Sequence, residues 1–410
     1  MSFTPREEKI EKKQTGSGGS RPDHEKIAWL GLKLVPGLGN RTILRLVELF
    51  GSAEKVLAAG FEQLSLSGSL RDKALGALAA KQFARDPEAE WKYLEKNGLR
   101  MVCLGDEDYP ANLAQIPDPP AVLFVSGDLL PRDLASIAVV GSRYASPAGI
   151  LFAENLSRDL ASCGLTVVSG FALGIDSAAH RGALKARGRT LAVLGCGLDV
   201  NYPSANADLR GDIARTGALL TEFIAASPPS AGNFPARNRI ISGLSLGVTV
   251  VEAAERSGSL ITARMALEQG REVFAVPGMA MSARSKGTHR LIRQGAKLVE
   301  SAEDILEEIR PLLRSTRLPA PRGLCASADT GSQGIGALAG KTESESSVSE
   351  KPRGAGETNI LKILDAVPMH IDEIASLAAM PVQSAAAVLL ELELKGLVSS
   401  LPGKYFLARL

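Results

Sequence analysis

After Ala135 the chain keeps one rhythm: a short apolar run, usually closed by Gly or Ser, then a segment long enough for a helix. The runs are SIAVVGS, TVVSG, TLAVLGCG, ALLTEF, GVTVVEA, EVFAVPG and AKLVE. Continuous rather than alternating apolar residues belong in strands buried on both faces. Their alternation with segments such as 148–162 and 176–185 predicts a parallel sheet covered by helices. Sheets of this kind bind ligands outside the carboxyl ends of their strands, and the motifs singled out below within the sheet domain fall at such ends.

The remainder of the chain divides around that sheet. Its 410 residues exceed one typical core. Residues 1–22 are charged and rich in Gly and Ser, a tail too polar to repay the entropy of ordering. Over 23–90 apolar residues recur at spacings of three and four (Ile27, Leu30, Leu34, then Ile43, Leu46, Val47 and Phe50), which predicts a small helical domain. Its VPGLGN turn, Val35 to Asn40, suits either a helix-hairpin-helix element whose glycines let backbone N–H groups meet a phosphate, or a plain tight turn. The sheet domain is expected over 91–313 and a Ser-, Gly- and Pro-rich linker over 314–356. At 357–410 three helical segments and a hairpin around Pro402 and Gly403 resemble a winged helix.

Several classes are disfavoured. The cysteines (Cys103, Cys163, Cys196, Cys325) form no CxxC pair, which argues against a zinc site or a disulfide framework and fits a reducing compartment. Four histidines in the whole chain make a histidine metal site unpromising. No uninterrupted apolar stretch reaches membrane-spanning length, so a cytoplasmic protein without membrane contact is expected. Neither GSRYASPAG nor GCGLDV supplies GxGxxG, so no dinucleotide cofactor is expected. GALAGKT, Gly336 to Thr342, has three residues between its glycines where a P-loop needs four, and it sits in the linker.

The positive signal lies at the strand ends. GSR (Gly141, Ser142, Arg143) closes the first run, and SGFALGID, beginning at Ser169 and Gly170, closes the second. The stretch Asn233 to Arg264 reads as a short helix carrying Arg237, Asn238 and Arg239, a strand over 248–251, and a second helix opened by Ser257, Gly258 and Ser259. A helix start leaves backbone N–H groups unpartnered and carries partial positive charge, so these starts suit a phosphate. The net charge of the whole chain is only +2, yet residues 233–296 hold nine Arg and Lys, Lys286 among them, against four Glu, a local +5. Phe234 adds a face on which a base can stack among phosphate contacts, a combination that points to single-stranded nucleic acid.

Taken in order, DYPANLAQIPDPPAVLFVSGDL, GSR, SGFALGIDSAAHRGAL, NFPARNRIISGLS, SGSLITARMALEQGREVFAVPG and GTHRLIRQGA resemble the DNA processing protein A (DprA/Smf) family from about Glu25 to Val299. The resemblance implies an α/β fold: an extended Rossmann-like parallel sheet domain with an N-terminal SAM-like or helix-hairpin-helix-like domain and a C-terminal winged helix. It implies a protein without catalytic residues that binds single-stranded DNA, protects incoming DNA and loads the RecA recombinase during natural transformation, acting as a homodimer. Carried onto this chain, the DNA pocket comprises Arg143, Ser169, Gly170, Phe234, Arg237, Asn238, Arg239, Ser257, Gly258 and Ser259, with Gly141 and Ser142 beside Arg143, and Lys286 at the head of the late helix. Two departures stand out: Leu173 occupies a place where relatives often carry a basic residue, and YASPAG after GSR lacks the usual Thr and Tyr.

Blander readings apply to the same residues. Arg237 and Arg239 can pair with Glu222, Glu252 or Glu255 as ordinary surface arginines. Asp176 and Glu252 suit a catalytic carboxylate pair, but helix capping and arginine holding are the commoner uses. His180 suits an internal hydrogen bond, and Cys196 has no base beside it in sequence. The alternative function is a Rossmann-type nucleotide monophosphate hydrolase, whose PGGxGT loop does not occur here. Over 357–410 four basic residues face six acids, and Ala, Val, Leu and Glu dominate the expected recognition helix, so protein contact or a weak accessory role is expected there.

Overall fold

The computed structural model describes residues 23–315 and, in the C-terminal part, residues 360, 364, 369–378, 380–395, 397–401 and 404–408. The expected tail at 1–22, nearly all of the linker, GALAGKT, Cys325 and the turn at Pro402 and Gly403 lie outside the described residues.

The amino-terminal part is helical: α1 (Asp23–Leu34), α2 (Asn40–Phe50), α3 (Ala53–Ala58), α4 (Phe61–Leu66), α5 (Asp72–Ala79) and α6 (Pro87–Lys96). Caps mark several starts, with Ser52 accepting from Lys55 N–H and Asp86 accepting from Glu88 N–H ahead of Pro87. These helices share one core with the sheet, in which Trp29, Leu30 and Leu94 meet Met101, Phe124 and Leu219.

The strands are β1 (Arg100–Cys103), β2 (Val122–Gly127), β3 (Ser136–Val140), β4 (Thr166–Ser169), β5 (Thr190–Val193), β6 (Ala218–Thr221), β7 (Gly247–Val250), β8 (Glu272–Ala275) and β9 (Lys297–Leu298). Among the described residues they form one nine-stranded sheet in the order β1-β2-β6-β5-β4-β3-β7-β8-β9. The seven runs that follow Ala135 in sequence are its parallel part, β3 to β9. The sequence did not announce the extension: β2 lies antiparallel to β6, and β1 antiparallel to β2.

The connecting helices are α7 (Ala111–Ala114), α8 (Pro147–Ser162), α9 (Ile175–Lys185), α10 (Ala207–Thr216), α11 (Asn233–Leu244), α12 (Gly258–Glu268), α13 (Lys286–Arg293) and α14 (Ala302–Ser315). Alternation along β3 sends Ile137 and Val139 to a core with α8, α9 and α14, and Ala138 and Val140 to a core with α11 and α12. Both faces are therefore covered, which is why the runs are continuously apolar. Asp133 and Arg189, each 7% exposed, form a buried ion pair at the amino edge of this sheet.

In the C-terminal part β10 (Met369–His370), β11 (Val398–Leu401) and β12 (Tyr405–Ala408) form a sheet in the order β10-β12-β11 beside α15 (Ile371–Leu377) and α16 (Val382–Leu394). Ile374, Leu389 and Val398 are fully or almost fully buried in its core, while Val382 and Leu390 on α16 are exposed. Among the described residues no single helix is long and apolar enough to cross a membrane.

Candidate nucleic-acid interface

The chain brings the ends of β3, β4, β5, β7 and β8 to one edge. Gly174, at φ +76°, turns the backbone after β4 so closely under the GSR loop that a Cβ there would meet the Ser142 carbonyl at 2.3 Å. Ile175 N–H then donates to that carbonyl at 3.2 Å, fixing the start of α9 beneath Arg143. Ser146 caps α8 by accepting from Gly149 N–H at 3.0 Å, and its hydroxyl donates to Glu252 Oε1 at 2.5 Å. Glu252 is thus a structural anchor for the segment after GSR, in which Ser146 supplies the cap.

Phe234 lies at the first turn of α11, its ring packed so near Gly195 that a Cβ there would come within 2.8 Å. The Arg143 guanidinium sits over this ring, 5.0 Å from its centroid, and the Tyr202 ring lies 5.8 Å away at 44°. Together with Gly170, Leu173 and Tyr144 they line a cleft of about 140 Å³. Arg256, Arg284, Lys286 and Arg290 stand exposed around the same edge, as does Arg143.

Beneath the cleft lies a buried charged pair. Arg237, 4% exposed, donates to the carbonyls of Gly170 and Val193. Asp176, 6% exposed, faces it and accepts from Ala172 N–H at 3.3 Å. Burial pushes the Asp176 carboxyl above its ordinary range, opposed by the Arg237 charge, and burial lowers the Arg237 guanidinium to about 10. Gly170 is required between them, since a Cβ would lie 2.6 Å from Asp176 Oδ2 and 2.8 Å from Arg237 Nη2.

The structure sorts the residues expected to line the pocket. Arg143, Gly170 and Phe234 meet at the cleft. Gly141 packs against Ile175, and Ser142 Oγ accepts from Tyr144 N–H at 3.1 Å, so both shape the loop that presents Arg143. Ser257 Oγ lies 2.8 Å from Ser259 Oγ at the start of α12, and Gly258 has open space where a Cβ would stand. Lys286 is exposed at the head of α13. Five residues are corrected. Ser169 is fully buried and donates to the Val139 carbonyl at 2.7 Å, Asn238 is 8% and Ser259 6% exposed, and Arg237 is the buried support just described, so these four lie under the surface rather than on it. Arg239 faces elsewhere, pairing with Glu222 at 2.6 Å and Asp118 at 3.3 Å.

Arg239 belongs to the seam with the helical region. Asn40, the last residue of VPGLGN, donates to Asp118 Oδ1 at 3.0 Å and to the Pro119 carbonyl at 2.6 Å, and accepts from Ala121 N–H at 2.6 Å. Lys33 of α1 faces the same carboxylates, and burial holds its ammonium below the ordinary value. The end of the VPGLGN turn is therefore engaged in joining α2 to the loop before β2.

Two further readings hold. His180 is fully buried, with Nδ1 2.7 Å from Thr190 Oγ1, whose own proton goes to the Val167 carbonyl; Nδ1 therefore carries the imidazole proton. Cys196 is buried and its thiol is raised by burial. Burial lowers His180 to about 3. The unfolded chain, with an ordinary histidine, binds a proton first as pH falls, so stability should decline from about pH 6.5 downwards by about 1.4 kcal/mol per unit. His180→Gln should flatten that limb in urea unfolding measured at pH 7 and pH 5; parallel curves would show that another group titrates.

A larger cavity, about 710 Å³, lies at the opposite, amino edge beside Arg100 and Leu134. Asp106, Glu107 and Asp108 line it, and its Arg100 is paired with Asp108 and Asp128, so it repels a polyanion.

Similarity to known proteins coincides with this architecture. The sequence model of DNA recombination-mediator protein A matches residues 100–310, and that of the DprA winged helix domain matches residues 344–404. The chain belongs to the DprA/Smf family. Protein Smf of Escherichia coli K12 is 38% identical over 383 residues, covering 92% of this chain and 94% of that one. DNA processing protein DprA of Streptococcus pneumoniae R6 is 42% identical over 272 residues, 66% of this chain and 94% of that one. The X-ray structure of DprA from Streptococcus pneumoniae superposes with a TM-score of 0.61 at 40% identity, covering 69% of this chain and 97% of that one. The sequence signal for Tyr202 was available in GCGLDVNYP, an aromatic just past a strand end, but it was not singled out beside Phe234.

Proposed function

We propose that the carboxyl edge of the sheet binds single-stranded DNA and performs no chemistry on it. The observation that carries the reading is Arg143 over the Phe234 ring at 5.0 Å, within a cleft that Tyr202 also lines. A base can reach such a cleft only when it is unstacked, whereas a duplex hides its base faces. The exposed cations around the cleft supply sequence-independent phosphate contacts. Arg143, Gly170, Phe234, Ser257 and Gly258 at the start of α12, and Lys286 are the contact set, and Ser169, Arg237, Asn238 and Ser259 hold it from below. The names of its family and of its relatives, recombination-mediator protein and DNA processing protein, fit this ligand.

The hydrolase alternative is not favoured, because its two candidate acids are engaged. Glu252 holds Ser146, and Asp176 lies behind Arg237. The reading extends to a cytoplasmic protein that pairs with a second copy of itself and hands its strand to RecA, with 23–90, 91–313 and 357–410 as its units. The exposed apolar residues of α16 suit protein contact better than groove reading.

Titration of a fluorescent oligothymidylate across a salt series tests the reading. Affinity should fall with a log–log slope of about −0.7 per neutralised phosphate. Phe234→Ala should weaken binding by about 1–3 kcal/mol with the slope kept, and Arg143→Ala should lower affinity and make the slope shallower. Salt-independent affinity, or phosphate release from nucleotide monophosphates, would overturn it.

A further inference from the structure

We propose that Tyr144 is a second base-stacking platform, carrying the strand from the Phe234 cleft towards the cationic rim of Arg256, Lys286 and Arg290. The proposal rests on the single-stranded DNA reading of this edge and adds to it a residue and a path.

Tyr144 follows Arg143 directly, lines the cleft, and is 85% exposed. An aromatic residue so exposed contributes almost nothing to the core, yet its backbone is fixed on both sides. Its N–H donates to Ser142 Oγ at 3.1 Å, and its carbonyl accepts from Arg284 Nε at 3.0 Å. Arg284 is itself tied to the end of β7, because its carbonyl accepts from Ala253 N–H at 2.8 Å. The ring is therefore presented from a rigid loop, and stacking a base on it orders only a side chain with two torsions. Arg143 and Arg284 flank it, and together they place positive charge where the phosphates on either side of a stacked base would pass. A protein partner would use the apolar ring equally well, but two flanking arginines and continuity with the Phe234 cleft favour a nucleic acid strand.

The full-length chain and a series of oligothymidylates beginning at the dinucleotide test this by fluorescence anisotropy. Tyr144→Ala should weaken binding of the longer oligonucleotides by about fivefold to a hundredfold, the range expected for losing one base–aromatic stack. The dinucleotide, which starts in the cleft that Tyr144 itself lines, should lose less than the longer oligonucleotides, and Tyr144→Phe should match the wild type. The salt slope should stay unchanged, because the ring neutralises no phosphate. A shallower slope in Tyr144→Ala would mean that the residue acts by placing Arg143, and it would overturn the platform. Wild-type affinity of Tyr144→Ala at every length would also overturn it, leaving the ring to a protein partner while the Phe234 cleft stands. Failure of the wild-type chain to bind any length would instead remove the DNA reading itself.

Discussion

Replacing Arg237 with Ala should destabilise the protein by about 3–5 kcal/mol and abolish single-stranded DNA binding together. The guanidinium is buried, donates to the carbonyls of Gly170 and Val193, and is the main charge opposing the burial of Asp176, ahead of Arg143. Its loss leaves a buried carboxyl without that main opposing charge and takes a donor from both carbonyls beneath the cleft, losses of about 1–3 kcal/mol each. Urea unfolding at neutral pH measures the first effect and oligothymidylate titration the second. The variant should partly recover on acidification. Burial raises the folded carboxyl of Asp176, so the folded chain takes up its proton before the unfolded chain does, and stability rises as pH falls towards the ordinary aspartate value. Asp176→Asn introduced beside Arg237→Ala should recover part of the loss without acid. Unchanged stability of Arg237→Ala would show that the pair beneath the cleft does not support it.

Arg239→Ala should cost a similar amount, about 3–5 kcal/mol, but leave DNA affinity in the folded protein nearly unchanged. Its side chain is 13% exposed and pairs with Glu222, 7% exposed, and with Asp118. Through Asp118 it is joined to Asn40, and so to α2. Removing it should loosen the seam, and unfolding should separate into two transitions, one for the helical region and one for the sheet. Calorimetry reads that separation directly. A large loss of DNA affinity in a still-folded Arg239→Ala protein would return this residue to the contact set.

The contrast between these two arginines shows what was legible in the sequence. Both stood out in NFPARNRII, and the charge sum counted both towards the strand-end surface. Residues two apart on a helix point in different directions, however, so only one of the pair could lie beneath the cleft. Which one depended on Glu222 and Asp118, brought close by the fold and not by spacing. The parallel strands were legible because burial on both faces demands continuous apolar runs. The antiparallel β1 and β2 were not, since VLFVSG reads as another buried strand and nothing in it specifies direction. Tyr144 escaped notice because exposure is a property of the folded loop.

The strand order has a further consequence for how the chain acquires this edge. β2 pairs with β6 through Phe124 and Thr221, and β3 pairs with β7 through Ile137 and Gly247, so the centre of the sheet closes only between segments far apart in the chain. Such contacts pay the entropy of a long loop before any burial rewards them, which slows folding. During synthesis the GSR loop therefore emerges long before the strand that buries its flank, and β3 remains an open, apolar edge in the meantime. A nascent chain halted before Gly247 should be protease-sensitive and sticky, and Arg143 and Phe234 come together in a stable sheet only once β7 has been added.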